Sequence, residues 1–253
     1  MNPGHSVEIN LSARKHSYDV LISHDVLAET AQWIKRSVTL APKKITIVSN
    51  EKVFGLYGSA VEKSLNLAGF KVSRFLMKDG EEFKNFDSLR DLLTVLGENN
   101  LGRTDCVIAL GGGVVGDLAG FASAIYLRGI RFLQIPTTLL SMIDSSVGGK
   151  TGINDHIGKN LLGAFHQPHG VLIDVSTLKT LESRELAAGF CEMIKHGALA
   201  GGNLFSQTAE FLGENRIESF PALFENEQFV DGLKTLVSAN VDFKSEIVAG
   251  DEF

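Results

Sequence analysis

Four short stretches of the 253-residue chain carry side chains whose types and spacing can do chemistry. The first is ALGGGVVGDLAG, residues 109–120, where an apolar run empties into Gly111, Gly112 and Gly113. Glycine lets a backbone approach a pyrophosphate closely, and a helix beginning near Val114 adds free N–H groups and a positive dipole. The three glycines are therefore a candidate pyrophosphate contact. Asp117, placed in the first helical turn, suits that position with or without a ligand. The glycine spacing differs from the usual dinucleotide fingerprint, so a ligand-free strand–helix turn is the plain alternative. The second stretch is KDGEEFK, residues 78–84. Its acidic side chains can accept hydrogen bonds from ribose hydroxyls and Lys84 can meet a phosphate, although charged turns are usually just solvated.

The third stretch, QIPTTLLSMIDSSVGGKTGINDHIGKN, covers residues 134–160 and contains GGKT. A nucleotide-hydrolase phosphate loop requires glycine five residues before the glycine that precedes its lysine, and Asp144 stands there instead. What remains is an acid, Lys150, Lys159 and the amide of Asn160, with Lys195 further on. That set suits an anionic, hydroxylated substrate better than a nucleoside triphosphate. The fourth stretch is RELAAGFCEMIKHGAL, residues 184–199. On a helix Glu192, Lys195 and His196 share a face at i, i+3 and i+4. Glu192 can ligate a metal and Lys195 can bind a phosphate or carboxylate; the plain alternative is a surface Glu–Lys pair with an incidental histidine.

These residues need a scaffold, and the intervening sequence describes one. Val7–Leu11 and Tyr18–Ile22 alternate with period two and read as an opening antiparallel pair. Strand-like runs follow at Lys44–Ser49, Lys71–Met77, Cys106–Leu110, Phe132–Ile135 and Val171–Val175. Helical spacing lies between them at Val26–Val38, Val53–Ala68 and Phe86–Leu96, the last with Phe86, Leu89, Leu92, Leu93 and Leu96 on one face. Strands alternating with helices of this length predict an α/β dinucleotide-binding domain with a mostly parallel sheet, over residues 1–177. Its ligands belong beyond the carboxyl ends of the strands. From residue 178 only helices are predicted, at Arg184–Ala200, Leu204–Leu212 and Phe229–Val248. Residues 178–253 thus read as an all-helical C-terminal domain that is truncated, because its last helix reaches Phe253 without a stop signal.

Composition excludes several classes. A formal charge of −6 without a basic run argues against a nucleic-acid surface. Hydrophobic residues at 44% and charged residues at 21% are ordinary for a globular core. Cys106 and Cys191 form no disulfide framework and read as buried free thiols. No signal peptide is evident, and no apolar run approaches the ~20 residues of a membrane span, so a cytoplasmic protein is expected.

Together, DGEEFK, GGGVVGDLAGF, YLRGIRFLQIPTTLLSMIDSSVGGKTGIN, GKNLLGAFHQP and RELAAGFCEMIKHG resemble the 3-dehydroquinate synthase family, from about residue 40 to residue 200 and more loosely to Lys244. The resemblance implies an NAD- and zinc- (or cobalt-) dependent lyase. Its members convert 3-deoxy-arabino-heptulosonate 7-phosphate into 3-dehydroquinate and phosphate by transient oxidation, elimination, reduction and aldol closure. It further implies that Asp79, Glu81, Lys84, Gly112, Gly113, Asp117, Thr137, Thr138, Lys150, Lys159, Thr177 and Leu178 serve NAD. Asp144, Lys150, Asn160, Lys195 and Lys244 match substrate-site positions, and Glu192 matches one of three zinc ligands. Arg128 matches an arginine that reaches the substrate phosphate across a homodimer interface. The family's other two zinc ligands are histidines of a GHTFGHA-type segment, and none of the seven histidines here lies in one. Glu192 alone is not expected to hold zinc tightly. The competing readings are another sugar phosphate cyclase, a metal-dependent alcohol or glycerol dehydrogenase, and a non-catalytic NAD-binding fragment.

Overall fold

The computed structural model describes residues 16–250. Its strands are β1 (Val20–Ser23), β2 (Lys44–Asn50), β3 (Lys71–Met77), β4 (Cys106–Gly111), β5 (Arg131–Pro136), β6 (Lys150–Asp155), β7 (Gly158–Phe165) and β8 (Val171–Asp174). Helices are α1 (Thr30–Ser37), α2 (Glu51–Val53), α3 (Ser59–Leu67), α4 (Phe86–Glu98), α5 (Gly113–Ile125), α6 (Ser183–Ala200), α7 (Leu204–Glu214), α8 (Phe220–Leu223) and α9 (Glu227–Gly250). Six strands form a parallel sheet in the order β1-β8-β5-β4-β2-β3. Its chemistry-bearing turns leave from the carboxyl ends of β2, β3, β4, β5 and β8, the edge where such sheets bind ligands.

Alternation along the strands divides the core in two. Ile45, Ile47, Ile108, Leu110, Leu133, Ile135 and Leu172 pack with α1 and α3 on one face. Val48, Val107, Ala109 and Phe132 pack with α4 and α5 on the other. A third cluster joins Val171 and Ile173 of β8 to Leu186, Phe190, Met193, Phe220, Leu233, Val237 and Val241 of the helical layer. Burial of these aliphatic and aromatic side chains contributes on the order of 1.5–3 kcal/mol each.

The structure departs from the sequence reading at several points. β1 pairs on one side with β8 in parallel, Val20 opposite Val171, a pairing that the sequence reading did not include; Val7–Leu11, its expected antiparallel partner, lies outside the described residues. The helix expected over Val53–Ala68 begins at Glu51 and is interrupted by a π-turn at Phe54–Gly58. Phe86 is 54% exposed, because it occupies the first turn of α4, beyond the sheet face that Leu89, Leu92 and Leu96 cover. Cys106 is buried but Cys191 is exposed on α6, so the expected pair of buried thiols is half correct. An antiparallel hairpin, β6–β7, runs through the GGKTGIN and GKNLLGAF motifs, where no strands were expected. Its two strands lie very close at Gly152 and Gly163, where an added Cβ would meet the opposite backbone.

Candidate active site

The turn after β4 is the floor of the site. Gly112 is the N-cap residue of α5 and no side chain caps the helix, so its first-turn N–H groups are open. A Cβ on Gly113 would come within 3.0 Å of Ser145 Oγ. The glycine turn therefore abuts the π-turn Ser141–Ser145, which carries Asp144. Thr137 lies beside it at the end of β5, its N–H donating to Gly111 O at 3.0 Å. Thr137 Oγ1 is buried without a hydrogen-bond partner. Thr138 is engaged locally, its Oγ1 donating to Ser141 Oγ at 2.8 Å. Open helix N–H groups, a tight glycine backbone and an orphaned hydroxyl fit the pyrophosphate side of a dinucleotide.

Gly80, at φ 125°, turns the chain after β3 and sends Glu81–Phe83 into a short 3₁₀ turn. Exposed Asp79 is oriented by Asn50, whose Nδ2 donates to Asp79 Oδ1 at 2.8 Å. Lys84 is not a free phosphate ligand on this turn, since it is only 4% exposed. Its Nζ donates to Asp117 Oδ2 at 2.8 Å and to Asn160 Oδ1 at 2.6 Å. Asp117 lies beyond the first turn of α5, so it pairs with Lys84 rather than capping the helix. Burial pushes its carboxyl pKa up, with Lys84 opposing and Glu81 and Asp144 reinforcing the shift.

The hairpin joins this network from above. Asn154 of β6 receives Asn160 N–H on its Oδ1 at 2.9 Å and donates from Nδ2 to Glu81 Oε1 at 2.8 Å. Its own N–H donates to Lys84 O at 2.8 Å. Asn160 adopts φ 56°. Neither Asn154 nor Asn50 was singled out from sequence.

A cleft of about 560 Å³ opens between the hairpin, the segment around Asp144 and the end of α9, lined among others by Asp117, Asp144, Ser145, Lys150, Asn160 and Lys244. Lys244 Nζ lies 2.6 Å from Asp144 Oδ1. On α6, Lys195 Nζ lies 2.7 Å from Glu192 Oε1, and this contact raises the lysine pKa. His196 is 3% exposed, with Nε2 3.4 Å from Glu192 Oε1. The Glu192–Lys195 pair of the plain alternative is present, but Glu192 is largely buried and the histidine beside it is buried rather than an incidental surface residue. One donor atom from each of Asp144, Glu192 and His196 lies within 4.8 Å of the others. Two carboxylates and an imidazole in this arrangement fit a divalent cation with room for a further ligand. Glu192 is thus not the sole candidate donor.

Other predicted residues stand apart. Lys159 lines a separate cleft with Glu81, Glu82, Asn85 and His156, because neighbours on a strand point to opposite faces. Thr177 and Leu178 are buried after β8: Thr177 Oγ1 donates to Asp174 O, and Leu178 belongs to the core. Their side chains face inward and line neither cleft. Arg128 is exposed beyond α5, about 20 Å from that helix's N-terminus at 1.5 Å per residue.

The glycine turn at the carboxyl edge of a parallel sheet, facing an acid–imidazole cluster under a helical layer, defines an α/β protein of dinucleotide-binding type. Residues 74–188 match the model of the 3-dehydroquinate synthase N-terminal family. A 3-dehydroquinate synthase of Enterococcus faecalis OG1RF is 42% identical over 247 residues, 97% of this chain and 65% of that protein. Over the length matched, the chain is similar to 3-dehydroquinate synthases. It spans just under two thirds of the length of such relatives. Among solved structures, 2-epi-5-epi-valiolone synthase of Streptomyces hygroscopicus, with NAD+ and Zn2+ bound, superposes with a TM-score of 0.77 at 27% identity, over 96% of this chain and 64% of that one. A 2-deoxy-scyllo-inosose synthase complexed with carbaglucose-6-phosphate, NAD+ and Co2+ shares the fold, with a TM-score of 0.70 at 22% identity over 92% and 60% of the two chains.

Proposed function

We propose that the chain is the cofactor-binding and metal-proximal part of a cytoplasmic 3-dehydroquinate synthase, a phosphorus–oxygen lyase. Residues 1–177 form the NAD side and residues 178–253 the helical metal side. The observation that carries this reading is that the π-turn bearing Asp144 abuts the glycine turn at the N-terminus of α5, while Asp144 itself lies beside Glu192 and His196. NAD, when bound, supplies a reversible hydride acceptor, and a divalent cation supplies Lewis acidity at the oxygen being oxidised.

The chain's own residues answer the remaining demands. The open N–H groups of α5 and the Thr137 hydroxyl receive the pyrophosphate, while Asp79, held by Asn50, and Glu81, held by Asn154, accept ribose hydroxyls. Lys84 compensates Asp117 and presents Asn160 to the cleft. Lys150, Lys195 and Lys244 supply positive charge for a substrate bearing both phosphate and carboxylate. Arg128, far from its own cleft, serves a second copy in a homodimer; sedimentation as a strict monomer would contradict that.

The test is to incubate the protein with the heptulosonate 7-phosphate, NAD+ and Zn2+ or Co2+, following phosphate, product and NADH together. Phosphate released in step with 3-dehydroquinate and without lasting NADH is expected. Lasting NADH absorbance would favour a dehydrogenase, and NAD binding without phosphate release would favour a non-catalytic fragment. Release from a hexose or sedoheptulose phosphate instead would indicate another cyclase.

A further inference from the structure

Asp144 and Lys150 line one cleft although the chain between them, past the π-turn, is neither helix nor strand. Fully extended, such a segment would carry its ends roughly 20 Å apart. It folds back instead at Gly148, whose φ of 102° suits glycine. Its backbone bonds are few: Ser146 N–H donates to Ser141 O at 3.0 Å, Val147 N–H to Asp144 O at 3.1 Å, and Gly149 O accepts from His166 N–H at 2.7 Å. Two side chains from elsewhere in the sequence add to them. Gln134 Nε2 donates to Ser146 O at 3.2 Å, and Tyr18 Oη accepts from Gly148 N–H at 2.9 Å. Neither side chain lines a cleft.

Gln134 is 6% exposed on β5, flanked by the fully buried Leu133 and Ile135. An amide in such a place costs free energy unless it is bonded, so its contact with the segment is what offsets its burial. Strand alternation puts it on the same face as Phe132, toward α5. That helix meets the face with glycines. A Cβ on Gly113 would stand 3.0 Å from Ser145 Oγ, one on Gly116 2.9 Å from Gln134 Oε1, and one on Gly120 against Thr151 and Phe132. The glycine face of α5 thus receives Gln134 between Ser145 and Thr151, at the two ends of the segment. Tyr18 comes from the residues before β1, its ring packed on the cluster that joins β8 to the helical layer. Burial pushes its phenol pKa up, so it meets Gly148 as a neutral acceptor. Ser146 and Gly148 are buried, and losing either partner strands a backbone group away from water.

We infer that Gln134 and Tyr18 are positioning residues of this site: through Ser146 O and Gly148 N–H they hold Asp144 and Lys150 toward one cleft, and so set its affinity for the anionic substrate. The inference rests on the substrate reading of the cleft given above and deepens it by naming what fixes the placing of its two charges.

The test compares the native 253-residue protein with Tyr18→Phe, Gln134→Met and Gln134→Glu. Calorimetry measures the heptulosonate 7-phosphate in saturating NAD+, and NAD+ alone. Substrate affinity should fall about tenfold in Tyr18→Phe and in Gln134→Met, in line with a lost buried hydrogen bond, while NAD+ affinity holds within about twofold of native, because the glycine turn hangs on β4. Gln134→Glu should bind substrate weakly at neutral pH and recover relative to native on acidification, when its carboxyl gains a proton to donate to Ser146 O. Unchanged substrate affinity, equal loss of both ligands in every variant, or a Gln134→Glu deficit that ignores pH would overturn the inference. A native chain that binds no heptulosonate phosphate overturns the reading of the cleft instead. Amide exchange then decides the inference: Gly148 should be protected in the native protein and Gly148–Lys150 should exchange at least tenfold faster in Tyr18→Phe, with β4 unchanged. An unprotected Gly148 amide in the native protein refutes the Tyr18 contact even where a variant does not fold.

Discussion

Lys84 shows how much a single side chain can hold in this site. With one ammonium at 4% exposure it compensates Asp117 and fixes the Asn160 amide. Lys84→Met should therefore cost about 2 kcal/mol near neutral pH in urea unfolding, less than for a fully buried pair because Asp117 retains 21% exposure. The sign with pH follows from Asp117, whose carboxyl is raised mainly by burial. A raised acid weakens the fold as pH climbs from its unfolded value through its folded one, and losing Lys84 raises it further. The deficit of Lys84→Met relative to the native protein should shrink on acidification; a constant deficit would place the loss in packing. His169 runs the other way, with its pKa lowered to about 4, chiefly by burial and then by the charges of His16, His166 and Arg131. Its native form binds fewer protons than its unfolded form between about 4 and 6.5, so stability should fall as pH drops through that window, by at most about 3 kcal/mol. His169→Gln should flatten that slope in denaturation profiles. At this scale the sequence was uneven. Spacing alone put Glu192, Lys195 and His196 on one helix face, but the histidine's burial depends on Asn240, 44 residues away, and no local pattern carries that.

At the scale of elements, the central parallel strands were legible because each is a short apolar run buried on both faces, such as KITIVS in β2 and CVIAL in β4. The hairpin was not. Gly152 and Gly163 replace apolar residues where its strands approach most closely, and its sheet has only two strands, with β7 largely exposed. It looked like a motif rather than an element, although it carries Lys150, Asn154 and Asn160. Asn154 ties it to the turn after β3 through Glu81 and to its own second strand through Asn160. Asn154→Ala removes both side-chain bonds while leaving the backbone bond to Lys84 O. NAD+ affinity by calorimetry should fall about tenfold, roughly 1.4 kcal/mol. Co2+ affinity should hold, since the acid–imidazole cluster lies on other elements. Equal loss of both ligands would mean that the hairpin organises the whole cleft rather than its cofactor side.

At the scale of the molecule, the two sides of the site depend on different cores. The glycine turn and the turn after β3 are carried by a sheet filled by its own two faces. Glu192, His196 and Asn240 belong to α6 and α9, which reach the sheet through the third cluster at β8. Phe220 stands at the centre of that joint. It is fully buried, with edge-on contacts to Phe190, Phe211 and Phe229 at centroid distances of 5.6, 6.1 and 5.0 Å. Phe220→Ala opens a cavity among these rings and should cost about 3–5 kcal/mol. The loss falls on the contact between the helical layer and β8, so α6 should shift against the π-turn that holds Asp144. Donors on separate elements lose a shared cation when those elements move by even an ångström, because coordination distances are set to a few tenths of one. The protein with Phe220→Ala should therefore lose Co2+ affinity well before NAD+ affinity, and hydrogen exchange should accelerate in α6 and α9 while β2 and β4 stay protected. Parallel loss of NAD+ and Co2+ binding, with uniform exchange, would show instead that sheet and helices unfold as one unit.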